Sequence, residues 1–478
     1  MFLRRRALLI LFCFVGASSI LLLLGFYSQH LPNLWKRHIC SPVGLGTSRL
    51  LYPAESSSRA ESSFHPEVDY VHAGWQAQIH RELAYWDTDI SEAVFLLFEH
   101  QAMEANFFGS RVVVLDNQVH FNILASKPNP HAGHTLGYTL ATLLAIKQMI
   151  VFSVTNNWTL PPNGIALHIQ YGDGCTDTKD PIIPIFGYNN APAWHQSTLL
   201  ERCRHTVSFP SYDWYWPGQD FLPGSPSRMD QASATRWSDK TEVLLFRGNL
   251  NSWDNMRTAV LLTSLQQPDI LDAKLTALYP HTCDQIKQFE PHTTLNISET
   301  CSEFVGEHMS PSDFARQKYW LDIDGHGATF RYKNYLHGES VIFKIESEYY
   351  QHFHSGLQPW VHFIPISRDD VMTSIKERVI WAREHDEECK SMVKRTKAWA
   401  KLFLNHEQTA WYQREVLKQL SSRYNFTPST NGLETVCCSD FDKARQMKLW
   451  GEAGYSCVDA EPCTSTLTEK KLKSLKEL

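Results

Sequence analysis

Along the chain, apolar positions first form an unbroken block and then fall into alternating strand and helix periods. Residues 7–26 are almost wholly apolar, interrupted only by Ser18 and Ser19, with Arg4, Arg5 and Arg6 ahead of them. About 20 such residues span the hydrocarbon core of a bilayer, and the basic flank favours the cytosolic side. The run is long for a secretory signal and no small-residue cleavage pattern follows, so an uncleaved transmembrane anchor with a lumenal remainder is expected. Residues 29–66 are polar and rich in Ser, which suits a stem. Residues 68–104 then read as helical, with Trp75, Ile79, Leu83 and Trp86 at three- and four-residue spacing. Short apolar runs at 111–115 and 165–170 predict buried strands around a long helix at 136–152, an alternation typical of an open, largely parallel α/β sheet.

After a loop region rich in Trp, Pro and Asp, a second alternation begins near residue 240. It predicts strands at 242–246, 319–323 and 341–345 and helices at 256–265 and 330–337. Two such series imply two Rossmann-like domains facing a cleft. Residues 368–424 read as almost entirely helical, with Ser367 as N-cap and Asp369 and Asp370 in the first turn.

The 478 residues are too many for one core, and the net charge of −6 gives no reason to expect a nucleic-acid partner. The lysine-rich stretch from Lys470 reads as a solvated end. Outside the apolar block the cysteines are Cys40, Cys175, Cys203, Cys283, Cys301, Cys389, Cys437, Cys438, Cys457 and Cys463. An even set suits disulfides in an oxidising lumen, and the spacings show no repeated C-x-x-C pair for zinc. N-glycosylation sequons begin at Asn157, Asn296 and Asn425.

The most informative segment is Lys318-Tyr-Trp-Leu-Asp-Ile-Asp-Gly-His-Gly-Ala-Thr-Phe-Arg331. It passes from an apolar strand through a glycine turn into a helix, the order of a diphosphate cradle. Gly325 and Gly327 allow close backbone approach, N–H groups at the helix start favour an anion, and Arg331 can fork onto phosphate oxygens. An ordinary strand-to-helix connection would carry the same glycine turn. His326 lies at that turn within reach of a phosphate. Arg247, in Phe246-Arg-Gly-Asn249, stands at a strand's carboxyl end, where open α/β sheets bind ligands. It is a candidate second diphosphate contact, and without that context it reads as a surface ion-pair partner.

Taken together, Trp237-Ser-Asp-Lys240, Phe246-Arg-Gly248, the segment from Asp324 to Arg331, Leu336-His-Gly-Glu-Ser-Val-Ile-Phe-Lys344 and Leu357-Gln-Pro-Trp-Val-His-Phe-Ile-Pro365 form a recognisable series. Over residues 165–405 it resembles the protein O-glucosyltransferase (Rumi-like) and fungal capsule-associated glycosyltransferase family, glycosyltransferase family 90. The resemblance implies a GT-B-type pair of domains with the nucleotide-sugar held mainly by the second. It also implies inverting transfer without a metal or other cofactor. On this reading Gly325, His326, Gly327, Ala328, Thr329, Phe330, Arg331 and Arg247 bind the donor. The family's catalytic aspartate follows a strand and precedes a Pro-Ile-Phe-Ser-like block. Here Asp173 precedes Pro181-Ile-Ile-Pro-Ile-Phe-Gly187 and is the matching base, with Asp177 and Asp180 as nearby substitutes and a plain turn aspartate as the alternative. The aromatic loop with Tyr212, Asp213, Trp214 and Trp216 resembles the family's acceptor side, or packs between domains. Asp322-Ile-Asp324 looks like a D-x-D metal clamp, yet the family places acidic residues there without a metal. His362 reads as core or cleft wall, and Trp381, Trp399 and Trp411 read as core.

The expected organisation is therefore an anchor at 1–28, a stem at 29–66, an acceptor-side domain at 67–232, a nucleotide-sugar domain at 233–385, helices packing back at 386–430 and a cysteine-containing tail at 431–478. The expected activity is transfer of glucose or xylose from a UDP-sugar to a hydroxyl of a protein or glycan, in the Golgi or endoplasmic reticulum membrane. The alternatives are a xylosyltransferase acting on polysaccharide or glycolipid, and a non-catalytic lumenal sugar-binding protein.

Overall fold

Strands rich in β-branched residues pair into two sheets, and the helices between them cover both. A computed structural model describes residues 66–86, 89–104, 108–125, 132–171, 183–187, 206–210, 235–250, 255–279, 282–288, 301–307, 309–347, 349–449, 457 and 459–477. The predicted anchor and the predicted stem up to His65 lie outside the described residues, while Pro66 opens the first helix. Everything described belongs to one compact unit, Phe64–Leu478.

The first sheet contains β1 (Phe108–Leu115), β2 (Gln118–Ala125), β3 (Ile165–Gln170), β4 (Ile185–Gly187) and β5 (Thr206–Ser208). β1 and β2 form an antiparallel hairpin in which Leu115 faces Gln118. The two loop residues, Asp116 and Asn117, both have positive φ, 50° and 58°. This is the turn whose twist matches the flanking strands, and Asp and Asn tolerate it better than most residues. β1 is antiparallel to β3 as well, while β3, β4 and β5 run parallel. The sheet is thus mixed rather than largely parallel, because β2 was not anticipated. Helix Ala132–Thr155 packs against it. That helix is apolar and long enough to cross a membrane, but its Leu140, Leu144 and Met149 are buried in the protein core. The helical stretch expected over 68–104 is two helices, Pro66–Leu83 and Glu92–Glu104, separated by a short turn at Ala84–Trp86.

The second sheet contains β6 (Thr241–Gly248), β7 (Leu271–Leu275), β8 (Gln317–Asp322), β9 (Val341–Ile345) and β10 (Ile364–Ile366), all parallel, in the order β7-β6-β8-β9-β10. From β6 the chain goes first to one side and then, through β8, to the other, so the direction of winding reverses between β6 and β8. All five residues of β9 are buried, which explains its continuous apolar run.

Three helices follow, Val371–Glu384, Asp386–Phe403 and His406–Ser421. The first is capped by Asp370, whose carboxylate accepts from the Thr373 N–H at 3.2 Å. Ser367, expected to be the cap, instead donates its own N–H to the Ser374 hydroxyl. The last of the three packs on Ala132–Thr155 and returns the chain to the first sheet. There β11 (Glu434–Val436) adds to the edge of β2. Disulfides Cys437–Cys463 and Cys438–Cys457 fix the segment that follows, and Cys283–Cys301 closes a loop beyond β7. Cys389 is a buried free thiol.

The lysine-rich end is not simply solvated. Helix Glu469–Glu477 buries Leu472 and Leu475 against Ala132–Thr155 while Lys473 faces solvent. Leu472→Ala should therefore cost about 2–5 kcal/mol of stability, read as a lowered midpoint in thermal unfolding. Lys473→Ala should leave that midpoint in place. Equal, small effects from both would mean that the helix does not dock.

Candidate functional site

In parallel α/β sheets, ligands sit outside the carboxyl ends of the strands where the winding reverses. Here that crevice lies between β6, which ends in Arg247 and Gly248, and β8, which runs into the Asp324–Gly327 turn. Arg331 opens helix Arg331–Leu336 and its Nη1 donates to the main-chain oxygen of Arg247. The two predicted arginines therefore share one corner. Beneath them lies the buried Phe246 ring, with the Arg331 and Arg257 guanidinium carbons 5.9 and 5.7 Å from its centroid.

The arginines are held differently. Arg247 grips Asp272 with both ends of its fork, Nη1 to Oδ1 at 3.0 Å and Nη2 to Oδ2 at 2.7 Å. Its Nη1 also donates to the main-chain oxygens of Phe246 and Asp272. Its Nε is enclosed, and a Cβ placed on Gly306 would lie 3.2 Å from it. Arg257 donates to the main-chain oxygens of Asn249, Ile323 and Asp324 and to the Asn249 side-chain oxygen at 2.8 Å. It pins the ends of β6 and β8 together. Arg331 reaches the Tyr335 hydroxyl, whose pKa burial pushes up and Arg331 pulls back down.

The glycine turn is tied from behind. Asp322 is fully buried, and both of its oxygens are taken: Oδ2 by the Lys344 ammonium at 2.7 Å, Oδ1 by the Thr329 hydroxyl. Lys344 lies 4.2 Å from the Tyr332 ring centroid. Burial pushes its pKa down, but the Asp322 carboxylate bonded to it outweighs that and holds it above the usual lysine value. Asp324 accepts from the Ser347 hydroxyl at 2.5 Å. Burial raises its pKa to about 6, the Asp322 charge adding to the rise and Lys344, Ser347 and Arg368 opposing it. Gly325 donates to Gly327 across the turn at 2.9 Å. Neither glycine is among the described residues with positive φ, so an unusual backbone is not what calls for them. Ala328 is buried, while His326, Thr329 and Phe330 are half-buried at the same turn.

Several residues that carry the sequence resemblance lie elsewhere. Trp237 and Lys240 stand before the amino end of β6. Trp237 covers Lys318 and donates to Asp386, and Lys240 donates to the Glu339 oxygen and the Ser340 hydroxyl. His362 is buried beside Trp399, its Nδ1 accepting from the Gln358 N–H, and burial pulls its pKa down to about 4. Trp399 is core, Trp411 stacks on His72, and Trp381 packs edge-on with Trp360. A cavity of about 430 Å³ lined by Pro161, Gly164, Tyr424 and Phe426 lies at the amino end of β3, away from the crevice.

Asp173, Asp177, Asp180, Tyr212, Asp213, Trp214 and Trp216 lie outside the described residues. Their approaches are nevertheless fixed. β3 ends at Gln170, leading toward Asp173, and the end of β5 is clamped by Glu82, which accepts from the N–H and hydroxyl of Ser208 at 2.7 and 2.9 Å. Tyr412 donates to the Ser208 oxygen. Sequence reasoning missed Glu82, Asp272 and the Asp322–Lys344 pair. A lysine inside the apolar run of β9 was the one local sign that a buried partner had to exist.

Among known proteins, the chain is 30% identical over 201 residues to human protein O-glucosyltransferase 3, covering 42% of this chain and 36% of that one. To human protein O-glucosyltransferase 1 it is 21% identical over 281 residues, 56% of this chain and 65% of the other. To the O-glucosyltransferase rumi homolog of Aedes aegypti it is 24% identical over 218 residues, 43% and 50% of the two chains. The chain thus spans between about a third and two thirds of the length of these relatives. The family model for glycosyl transferase family 90 matches residues 175–477, which takes in the whole second sheet, the crevice residues and the tail that docks on the first sheet, but begins just after Asp173. With most of its length under that match, the chain belongs to glycosyl transferase family 90.

Proposed function

We propose that the protein is an inverting O-glycosyltransferase that moves a sugar from a UDP-sugar to an acceptor hydroxyl. The observation that carries this reading is the meeting of Arg331, Arg247 and the glycine turn at the winding reversal of a parallel sheet, in a chain of this family. The relatives are named as protein O-glucosyltransferases, so glucose and a protein hydroxyl are the first choices, with xylose and a glycan acceptor as the second.

In the proposed reaction the acceptor oxygen attacks the anomeric carbon from the face opposite the diphosphate. A new C–O bond forms as the bond to the diphosphate oxygen breaks, UDP departs with the electron pair, and the acceptor proton passes to Asp173. A carboxylate is a weak base, and it takes that proton only as the attacking oxygen becomes acidic in the transition state. Arg331 meets the charge growing on the diphosphate. Arg247, already forked onto Asp272, acts by fixing the carbonyl that holds Arg331. The donor is held by the second of two Rossmann-like domains in a GT-B arrangement, and the aromatic loop at 212–216 receives the acceptor. The N-terminal block anchors the enzyme in a secretory membrane with the catalytic part in the lumen. Disulfides support an oxidising compartment. The proposed reaction uses no metal, a reading supported by Asp322 being paired with Lys344 and bonded to Thr329.

UDP release from a panel of UDP-sugars, in the presence and absence of EDTA, tests both the activity and the metal question. Release should survive EDTA, and its loss would overturn metal independence. Release with none of the sugars would favour a non-catalytic sugar-binding protein. Asp173→Asn should lower turnover by about 10²–10⁴-fold while UDP still binds, and undiminished turnover would remove Asp173 from the mechanism. Arg331→Ala should weaken UDP binding about ten- to a hundredfold, the worth of a charge-assisted contact. Calorimetric titration showing unchanged affinity would place the diphosphate elsewhere.

A further inference from the structure

One cluster behind the crevice has a proton count that does not close with every carboxyl group ionised. The Ser347 hydroxyl has a single proton but faces two acceptors, Asp324 Oδ2 at 2.5 Å and the main-chain oxygen of Tyr349 at 2.8 Å. Its oxygen already accepts from the Tyr349 N–H at 3.0 Å. The other carboxyl oxygen, Asp324 Oδ1, is shut off from solvent with no hydrogen-bond partner among the described residues. If Asp324 were ionised, one of Ser347's two acceptor contacts would be left without a proton between its oxygens. Its charge would also be buried near the carboxylate of Asp322. If Asp324 carries the proton, Oδ2–H donates to Ser347, Ser347 donates to Tyr349, and each short contact contains one hydrogen.

We infer that Asp324 is a positioning residue that works as a neutral carboxylic acid, joining the glycine turn after β8 to the loop after β9 through Ser347 and so keeping the nucleotide cradle in shape. This rests on the proposed nucleotide site. The two joined segments sit at the carboxyl ends of neighbouring strands, and Asp324 is the first residue of the turn that leads to Arg331. Its main-chain oxygen is held by Arg257, so the proton-bearing side chain is the part of the residue free to change. Facing it are Asp322 from β8, Lys344 from β9 and Arg368 from the segment after β10, with the Tyr332 hydroxyl near Asp322. Asp322 favours the proton on Asp324, while Lys344 and Arg368 oppose it. Burial is the larger influence and brings the group to about 6.

The sign of the pH dependence follows from proton counts. An acid whose pKa is higher folded than unfolded binds more protons in the folded state. Stability is then greatest below the unfolded value, near about 4, and falls as pH rises to the folded value. Thermal unfolding of the full chain should show this decline between about pH 4 and pH 6. Asp324→Asn places a permanent donor at Oδ2 and should flatten it. If the decline is the same in both proteins, Asp324 does not carry the proton.

The second readout is UDP affinity between about pH 5 and pH 7.5 by calorimetric titration. The terminal phosphate of UDP itself titrates near about 6, so the quantity to follow is the ratio of wild-type to Asp324→Asn dissociation constants. That ratio should rise about fivefold across the range, the size of one net hydrogen bond. Asp324→Ala, which cannot make the link, should bind more weakly than Asp324→Asn at every pH. A flat ratio, or equal affinities of the Ala and Asn variants, would overturn the positioning role. Absence of UDP binding by the wild type would instead overturn the nucleotide site and the positioning role with it, while the unfolding profile would still decide where the proton lies.

Discussion

A buried ammonium and a buried carboxylate, Lys344 and Asp322, hold together the carboxyl ends of β8 and β9. Neither ion is stable alone in that position. Removing one partner of such a pair typically costs about 3–5 kcal/mol, because the other remains desolvated and uncompensated. The pair is completed by Thr329, whose hydroxyl takes the second Asp322 oxygen and so draws the far side of the glycine turn back onto the strand it left. The turn's shape is therefore set from its base as well as by the turn residues themselves. Arg331, two residues beyond Thr329, inherits its position from that link.

The strand order accounts for the place of the candidate site. A parallel sheet with the order β7-β6-β8-β9-β10 must open a crevice between β6 and β8, since the connections leave on opposite sides. What the crevice contains is then decided by the residues at those two strand ends. Arg257 closes its floor by binding the oxygens of Asn249, Ile323 and Asp324, which leaves Arg331 facing a rigid edge. The first sheet contributes differently. Its β1–β2 hairpin and β11 edge form an antiparallel part, beside which β3, β4 and β5 run parallel.

Elements whose signal is local were legible in the sequence. The strands β3, β6, β8 and β9 announce themselves as apolar runs because both faces are covered, and the glycine turn with Arg331 follows from the same segment. β2 carried an alternation of Val119, Phe121 and Ile123 against polar neighbours, but its Asp-Asn turn lacks the glycine that usually marks a hairpin. β11 was invisible for another reason: three residues gain strand geometry only by pairing with β2, far away in the chain. The docking of the lysine-rich end rests on two leucines three residues apart, too short a pattern to outweigh its charge. Asp272 as the partner of Arg247, and Asp322 as the partner of Lys344, are likewise contacts between strands that no spacing within either strand encodes.

The lock on Arg247 changes how the two arginines divide their work. A guanidinium forked onto a carboxylate is nearly neutral as a unit, and it attracts a diphosphate far less than a free one does. The charge at the crevice edge is thus concentrated on Arg331, whose partners among the described residues are a carbonyl, a tyrosine hydroxyl and the Phe246 ring, none of which cancels it. In the proposed reaction, a single fixed cation beside a backbone turn suits a leaving group whose charge appears at one place and at one moment, as a diphosphate's does when a glycosidic bond breaks. Were Arg247 also free, the ground-state diphosphate would be held more tightly at no gain to the transition state, since binding both equally does not lower the barrier between them. On the proposed reading the Asp272 ion pair is in this sense part of the chemistry: it subtracts charge from the candidate site while keeping the geometry that the remaining charge needs.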